Sequence, residues 1–303
     1  MRDLSKFKNG IFIAFYTAYD ENGNVSPERV KALAEYYYKK NVTGLYITGS
    51  SGESVYLSTE ERKLVMKSVM EAVGGKLTII AHVGAPSTRD SVELAKYAKE
   101  VGVDAISSIP PIYYGLPEDA IADYWTAMID ASGLPFIIYN IPQNTSGVSM
   151  SLFKKMLQNP NMIGIKNTSL PVQDILGFRN AGGEDIVIFN GPDEQLAAGR
   201  LMGADSGIGG TYGVMPELFL KINECINKND FMLASEIQKA TTTLIFEILS
   251  TGGLFAVCKE ILRLRGMDIG KPRLPLAQLK EEDYPKVAAL EKKITATIEK
   301  YCK

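Results

Sequence analysis

Residues 161–169 read "NMIGIKNTS" and set a lysine in the middle of what is otherwise a buried strand. Met162, Ile163 and Ile165 are apolar, Gly164 is small, and no acid lies within five residues of Lys166 on either side. An ammonium without a partner is costly to bury, so stability alone does not account for Lys166. What accounts for it depends on the sheet this strand belongs to.

Short apolar or β-branched runs recur along the first 213 residues. They are "IFIAFY" (11–16), "GLYITG" (44–49), "LTIIAHV" (77–83), "DAISSIPP" (104–111), "PFIIYNIP" (135–142), "MIGIKN" (162–167), "IVIFNG" (186–191) and "DSGIGG" (205–210). Their starts lie about 20 to 35 residues apart, and most gaps carry a helical pattern with its own start signal. "SPERVKALAEYYYKK" opens with a serine cap and a proline at the first helical position, "STEERKLVMKSVMEAV" with Ser58 and two early glutamates. "STRDSVELAKYAKEVG" stops at Gly102. Runs that are apolar nearly throughout suit parallel strands covered on both faces. Eight strand–helix units predict an α/β fold of the (β/α)8 TIM-barrel kind, with an open doubly wound sheet as the alternative. Beyond Gly213 the pattern is wholly helical, over 216–227, 230–251, 254–266 and 282–300. The expected division is therefore a barrel carrying the active site over 1–228 and a helical C-terminal subdomain over 229–303.

Composition narrows the function. The chain has 303 residues, 46% hydrophobic and 22% charged, with 33 basic and 35 acidic side chains giving a net charge of −2. No basic arm or patch marks a nucleic-acid site, and no apolar run approaches the ~18 residues of a membrane span. The N-terminal "MRDLSKFKNG" lacks a signal-peptide core, so the expected location is the cytoplasm. Three widely spaced cysteines, Cys225, Cys258 and Cys302, fit neither a disulfide framework nor a zinc site. The only histidine, His82, sits inside the apolar "LTIIAHVG" and reads as structural rather than as a general base.

In such a barrel, chemistry gathers at the carboxyl ends of the strands. Five of those ends hold most of the hydroxyls, small residues and awkward charges: "TGSSGE", "YNIPQNTSG", "KNTS", "NGPDEQ" and "GIGGTYG". A lysine in an apolar interior loses stability as an ammonium, and a free amine there can attack a ketone to form a Schiff base. The competing reading is a strand-end lysine that snorkels to water. Tyr139 ends the strand before Lys166 and can relay protons at its amine, or else is an ordinary core aromatic. Ser50 and Ser51, between Gly49 and Gly52, offer hydroxyls and backbone N–H groups to a carboxylate, with a helix expected to open just beyond them; the plain alternative is a turn. "GIGGTYG" lacks the strand–helix context and ribose-binding acid of a dinucleotide fingerprint.

Taken together, "GSSGE", "YNIP", "GIKNTS", "NGPDE" and "GADSGIGGTY" resemble the pyruvate-dependent class I aldolase superfamily nearly end to end. That superfamily includes N-acetylneuraminate lyase and dihydrodipicolinate synthase. The resemblance implies a (β/α)8 barrel with a C-terminal helical bundle, a homotetramer, and no metal or organic cofactor. It implies that Lys166 forms the Schiff base with a 2-keto acid and that Tyr139 shuttles protons. Ser50 and Ser51 would hold the carboxylate, with Ser51 in the relay, and Tyr113 of "PPIYYG" would assist near a subunit interface. The synthase type carries an arginine after its "YN-P" turn, where this chain reads Gln143, Asn144, Thr145 and Ser146. Losing a bidentate carboxylate clamp disfavours that activity. Thr168, Gly191, Asp193 and Glu194 match the lyase pattern for binding sugar hydroxyls, although Asp193 and Glu194 could merely cap the next helix. Gly210 stands where the lyases usually have serine. The implied reaction is reversible cleavage of N-acetylneuraminate to N-acetylmannosamine and pyruvate. The alternatives are the synthase and an aldolase for another 2-keto-3-deoxy sugar acid.

Overall fold

The structure is a computed structural model that describes residues 3–251 and 253–303. Eight parallel strands close on themselves: β1 (Ile11–Ala14), β2 (Gly44–Ile47), β3 (Thr78–His82), β4 (Ala105–Ser108), β5 (Phe136–Asn140), β6 (Met162–Asn167), β7 (Val187–Asn190) and β8 (Ser206–Gly209). Closure is explicit in the register, since Phe12 pairs with Gly44 of β2 and with Ile208 of β8. An open doubly wound sheet is thereby excluded. Each expected strand lands in a run identified above, β6 over its whole length and the others trimmed where the loops leave the barrel.

Around the strands run α1 (Pro27–Lys39), α2 (Thr59–Val73), α3 (Thr88–Val101), α4 (Glu118–Ser132), α5 (Met150–Met156), α6 (Gln173–Gly182), α7 (Leu196–Leu201) and α8 (Pro216–Asn227). Their start signals act as local chemistry requires. Ser26 accepts the Arg29 N–H ahead of Pro27, and Ser58 and Glu61 form a reciprocal capping box. Gly102 ends α3 at φ 84°, a left-handed turn that glycine makes without strain. Among the described residues three helices follow: α9 (Phe231–Ser250), α10 (Leu254–Leu264) and α11 (Tyr284–Cys302). One apolar layer runs from the outer faces of the strands, through Ile13, Leu45 and Ile165, into Ile237, Ile245, Val257 and Ile294 of these last helices.

A second, smaller core fills the barrel itself. Phe12, Ile80, Ile137, Ile163, Val187 and Ile208 meet there, closed from below by Leu4 and Phe7 of a 3-10 turn. Between β5 and β6 the register slips: Phe136 pairs with Met162 but Ile137 with Gly164, leaving Ile163 as the extra residue of a bulge. A bulge re-aims the side chains that follow it. Here it lets Ile163 and Lys166, an odd number of residues apart, both face the interior. Gly164 is obligatory at this point because a Cβ would land on the Val187 carbonyl oxygen.

Candidate active site

Lys166 enters the mouth of the barrel one residue before β6 ends, paired in register with Tyr139. It is 5% exposed. Its Nζ lies 4.0 Å from the centre of the Tyr139 ring and 4.7 Å from that of Tyr46. It has no carboxylate ion pair within 4 Å among the described residues. The amine is therefore held by two aromatic faces, which attract a cation without neutralising it. Snorkelling is ruled out by its burial. Tyr46 and Tyr139 meet edge to face at 5.9 Å, and the Tyr46 hydroxyl is occupied in donating to Ser107 Oγ at 3.0 Å. Tyr46 was not identified from sequence. Its position two residues after Gly44 on the inward phase of β2 is the signal that could have found it.

His82 is structural, as expected. It is buried, and burial followed by the neighbouring Arg62 guanidinium holds its pKa well below the usual imidazole range. Its Nε2 accepts the Ile109 N–H at 3.3 Å, which assigns the proton to Nδ1, 3.2 Å from the Thr48 carbonyl. Neither nitrogen is left for a substrate proton.

The serine loop follows β2. Ser50 is exposed and Ser51 half-buried. Among the described residues their backbone N–H groups donate to no protein acceptor, so they remain available to an anion. The helix opens after Ser58, as expected, beyond a 3-10 turn at Ser54–Tyr56 and so not directly behind the serines. The loop is shaped instead by left-handed residues at Thr48 (φ 54°) and Glu53 (φ 58°). Thr48 is pinned by its hydroxyl, which donates to the His82 carbonyl at 2.7 Å.

Opposite lie the loops after β6, β7 and β8. The Thr168 hydroxyl is buried without a hydrogen-bond partner among the described residues, and a Cβ at Gly191 would collide with it. Gly191 donates its N–H to the Asn167 carbonyl at 2.8 Å, fastening the two loops. Asp193 is 8% exposed and does not cap a helix. Its Oδ2 accepts from Thr211 twice, the backbone N–H at 2.6 Å and the hydroxyl at 2.5 Å. Burial raises its pKa to about 7, against the lowering effect of those hydrogen bonds. Glu194 is half-buried beside it. Gly210 closes the ring: the Tyr16 hydroxyl donates to its carbonyl at 2.5 Å, and a Cβ placed on it would lie 3.1 Å from Ser51 Oγ.

Tyr113 is the exception. It is 92% exposed at φ 81°, stacked edge to face on Tyr114 at 4.9 Å. The β4 loop carries it out to the surface, so a single chain does not bring it to Lys166.

A closed barrel whose mouth gathers a buried amine, a hydroxyl loop and a carboxylate belongs to the lysine-bearing class of (β/α)8 proteins. Residues 7–294 match the model of the Dihydrodipicolinate synthetase family, and the chain belongs to that family. Over 288 residues it is 51% identical to the N-acetylneuraminate lyase of Mediterraneibacter gnavus, covering 93% of this chain and 91% of that protein. It is 34% identical to the N-acetylneuraminate lyase of Rhizobium meliloti over 274 residues, 90% of this chain and 91% of that one. A solved structure of a Ruminococcus gnavus sialic acid aldolase, its catalytic lysine mutant, has a TM-score of 0.98 at 48% identity, covering 99% of this chain and 100% of that one.

Proposed function

We propose that this chain is a class I aldolase that cleaves N-acetylneuraminate reversibly to N-acetylmannosamine and pyruvate, as a cytoplasmic homotetramer without a metal or organic cofactor. The observation that carries the reading is Lys166, a buried amine between Tyr46 and Tyr139, in a chain 51% identical to an N-acetylneuraminate lyase. No single described helix is long and apolar enough to cross a membrane.

In the cleavage direction Lys166 Nζ adds to the C2 ketone of the open-chain sugar acid, and water is expelled with a proton donated by Tyr139, leaving a protonated Schiff base and the Tyr139 phenolate. The iminium then takes the electron pair of the C3–C4 bond as Tyr139 accepts the C4 hydroxyl proton. The aldehyde leaves, Tyr139 returns that proton to C3 of the enamine, and water releases pyruvate from the lysine, its surplus proton restoring the phenol. Ser50 and Ser51 hold the substrate carboxylate through the loop amides and hydroxyls, and Ser51 hands protons on to Tyr139. Thr168, Gly191, Asp193, Glu194 and Gly210 line the sugar tail, the carboxylates accepting from its hydroxyls. Tyr113 serves the relay from a neighbouring subunit.

The synthase alternative suffers from its missing clamp. Gln143, just after the "YNIP" turn, is neutral and spends its amide on the Thr168 carbonyl at 3.0 Å. The test is sodium borohydride trapping with N-acetylneuraminate as the only substrate, read by peptide mass spectrometry. A pyruvyl adduct on Lys166 is expected. Labelling by pyruvate but not by the sugar acid would overturn the substrate and send the search to aspartate semialdehyde and other sugar acids. No labelling by either would overturn the Schiff base.

A further inference from the structure

The last residue of "GSSGE" is buried, charged and unused by the chemistry above. Glu53 is 3% exposed, and its side chain points away from the barrel mouth into the C-terminal segment. Glu53 Oε1 lies 2.7 Å from Nζ of Lys259 on α10, and Oε2 accepts the backbone N–H of Arg273 at 2.8 Å. Both partners of the ion pair are almost wholly shielded, with side-chain exposures of 2% and 0%. Lys259 also donates to the Thr17 carbonyl at 2.9 Å, and the Thr17 hydroxyl donates to the carbonyl of Gly52 at 2.6 Å. The ring of Tyr19 lies 4.3 Å from the Lys259 amine and 4.9 Å from the Arg273 guanidinium. Two successive residues of the serine loop are thus fixed from behind by one lysine, directly at Glu53 and through Thr17 at Gly52.

We propose that Glu53 and Lys259 are positioning residues for the keto-acid carboxylate. Their ion pair fixes the left-handed turn at Glu53, and that turn presents the amides and hydroxyls of Ser50 and Ser51 to the substrate. A left-handed glutamate is unfavourable unless its surroundings over-determine it, and a buried ion pair is a weak device for stability alone. Both features make sense if the pair specifies one loop conformation. The proposal rests on the aldolase reading given above, because it takes the carboxylate of the keto acid as the loop's ligand.

The test is borohydride trapping at Lys166 as a function of pyruvate concentration, with thermal melting of each variant alongside. Glu53→Gln should raise the half-saturating pyruvate concentration by roughly tenfold to a hundredfold, the worth of hydrogen bonds to a charged group. A purely structural role would lower the folded fraction without moving half-saturation of the enzyme that remains. Since Glu53→Gln leaves Lys259 buried and unpaired, the neutral double variant Glu53→Gln/Lys259→Met supplies a folded alternative and should show the same rise. Glu53→Asp, which keeps the charge at shorter reach, should show a smaller one. Wild-type half-saturation in any folded variant would overturn the positioning role while leaving the Schiff base standing. A wild-type protein that pyruvate does not label would overturn both readings.

Discussion

Asp193 gives the sharpest quantitative expectation. In the fold it titrates at about 7, with burial the first cause, against 3.8 for the free side chain. The folded protein therefore holds a proton that the unfolded chain has already lost between those values, and stability falls as pH rises through that window. About three pKa units at about 1.4 kcal/mol each give roughly 4 kcal/mol across the whole window. Roughly 2 kcal/mol of this lies between about pH 5.5 and about pH 8. Other carboxylates, such as Glu61 beside Arg273, have lowered values and act in the opposite sense, so the wild-type curve alone is not diagnostic. The diagnostic quantity is the difference from Asp193→Asn, which cannot titrate but keeps an oxygen for Thr211. Urea unfolding of both proteins at the two pH values and one protein concentration should show the wild type losing about 2 kcal/mol more than the variant on going to the higher pH. Parallel pH profiles would refute the assignment of that proton to Asp193.

Other perturbations address the remaining parts of the site. Lys166→Ala should retain the fold and abolish borohydride labelling, as judged by circular dichroism and intact mass. Gln238→Ala removes the α9 side chain that donates to the Asp193 carbonyl at 3.1 Å and accepts from the Ala197 N–H at 2.9 Å. Leaving two buried groups unpaired should cost about 2–4 kcal/mol in denaturant unfolding, and raise KM for the sugar acid while pyruvate trapping stays put. Gly210→Ser brings a Cβ to within 3.1 Å of Ser51 Oγ and should weaken pyruvate half-saturation, measured by the same trapping titration. Gly164→Ala forces a methyl onto the Val187 carbonyl and should cost at least about 1–3 kcal/mol by overpacking, seen as a lower Tm or loss of folded protein.

The barrel was legible because most strands are short apolar runs and several helices, α1, α2, α3 and α5 among them, open on a serine cap, signals confined to a few neighbouring residues. The residues at the strand ends were legible for the same reason: a lysine among isoleucines and glycine-flanked hydroxyls break a local pattern. What escaped the sequence depends on partners far along the chain. Tyr46 faces the Lys166 amine across the barrel, 120 residues away in sequence. Asp193 looked equally able to cap α7, and only the position of Thr211 decides otherwise. Glu53 takes a left-handed turn between Ser51 and α2, a conformation held by Lys259 and Arg273 and invisible in "GSSGE" itself. Tyr113 was expected near the relay, and one chain alone leaves it in solvent.

These long-range partners give the C-terminal helices a role that their composition did not suggest. The two halves of the mouth are held by different helices of the same segment. Gln238 of α9 ties down the loop that carries Asp193, and Lys259 of α10, with the backbone of Arg273, ties down the loop that carries Ser50 and Ser51. A (β/α)8 barrel positions its strand ends rigidly but leaves its loops to find their own supports. Here part of that support, at both loops, comes from residues beyond 229. The boundary at 228/229 separates two stretches of sequence pattern, but the apolar layer and both loop anchors cross it. Truncation at that boundary would therefore unfasten both sides of the site at once, even with every strand of the barrel retained.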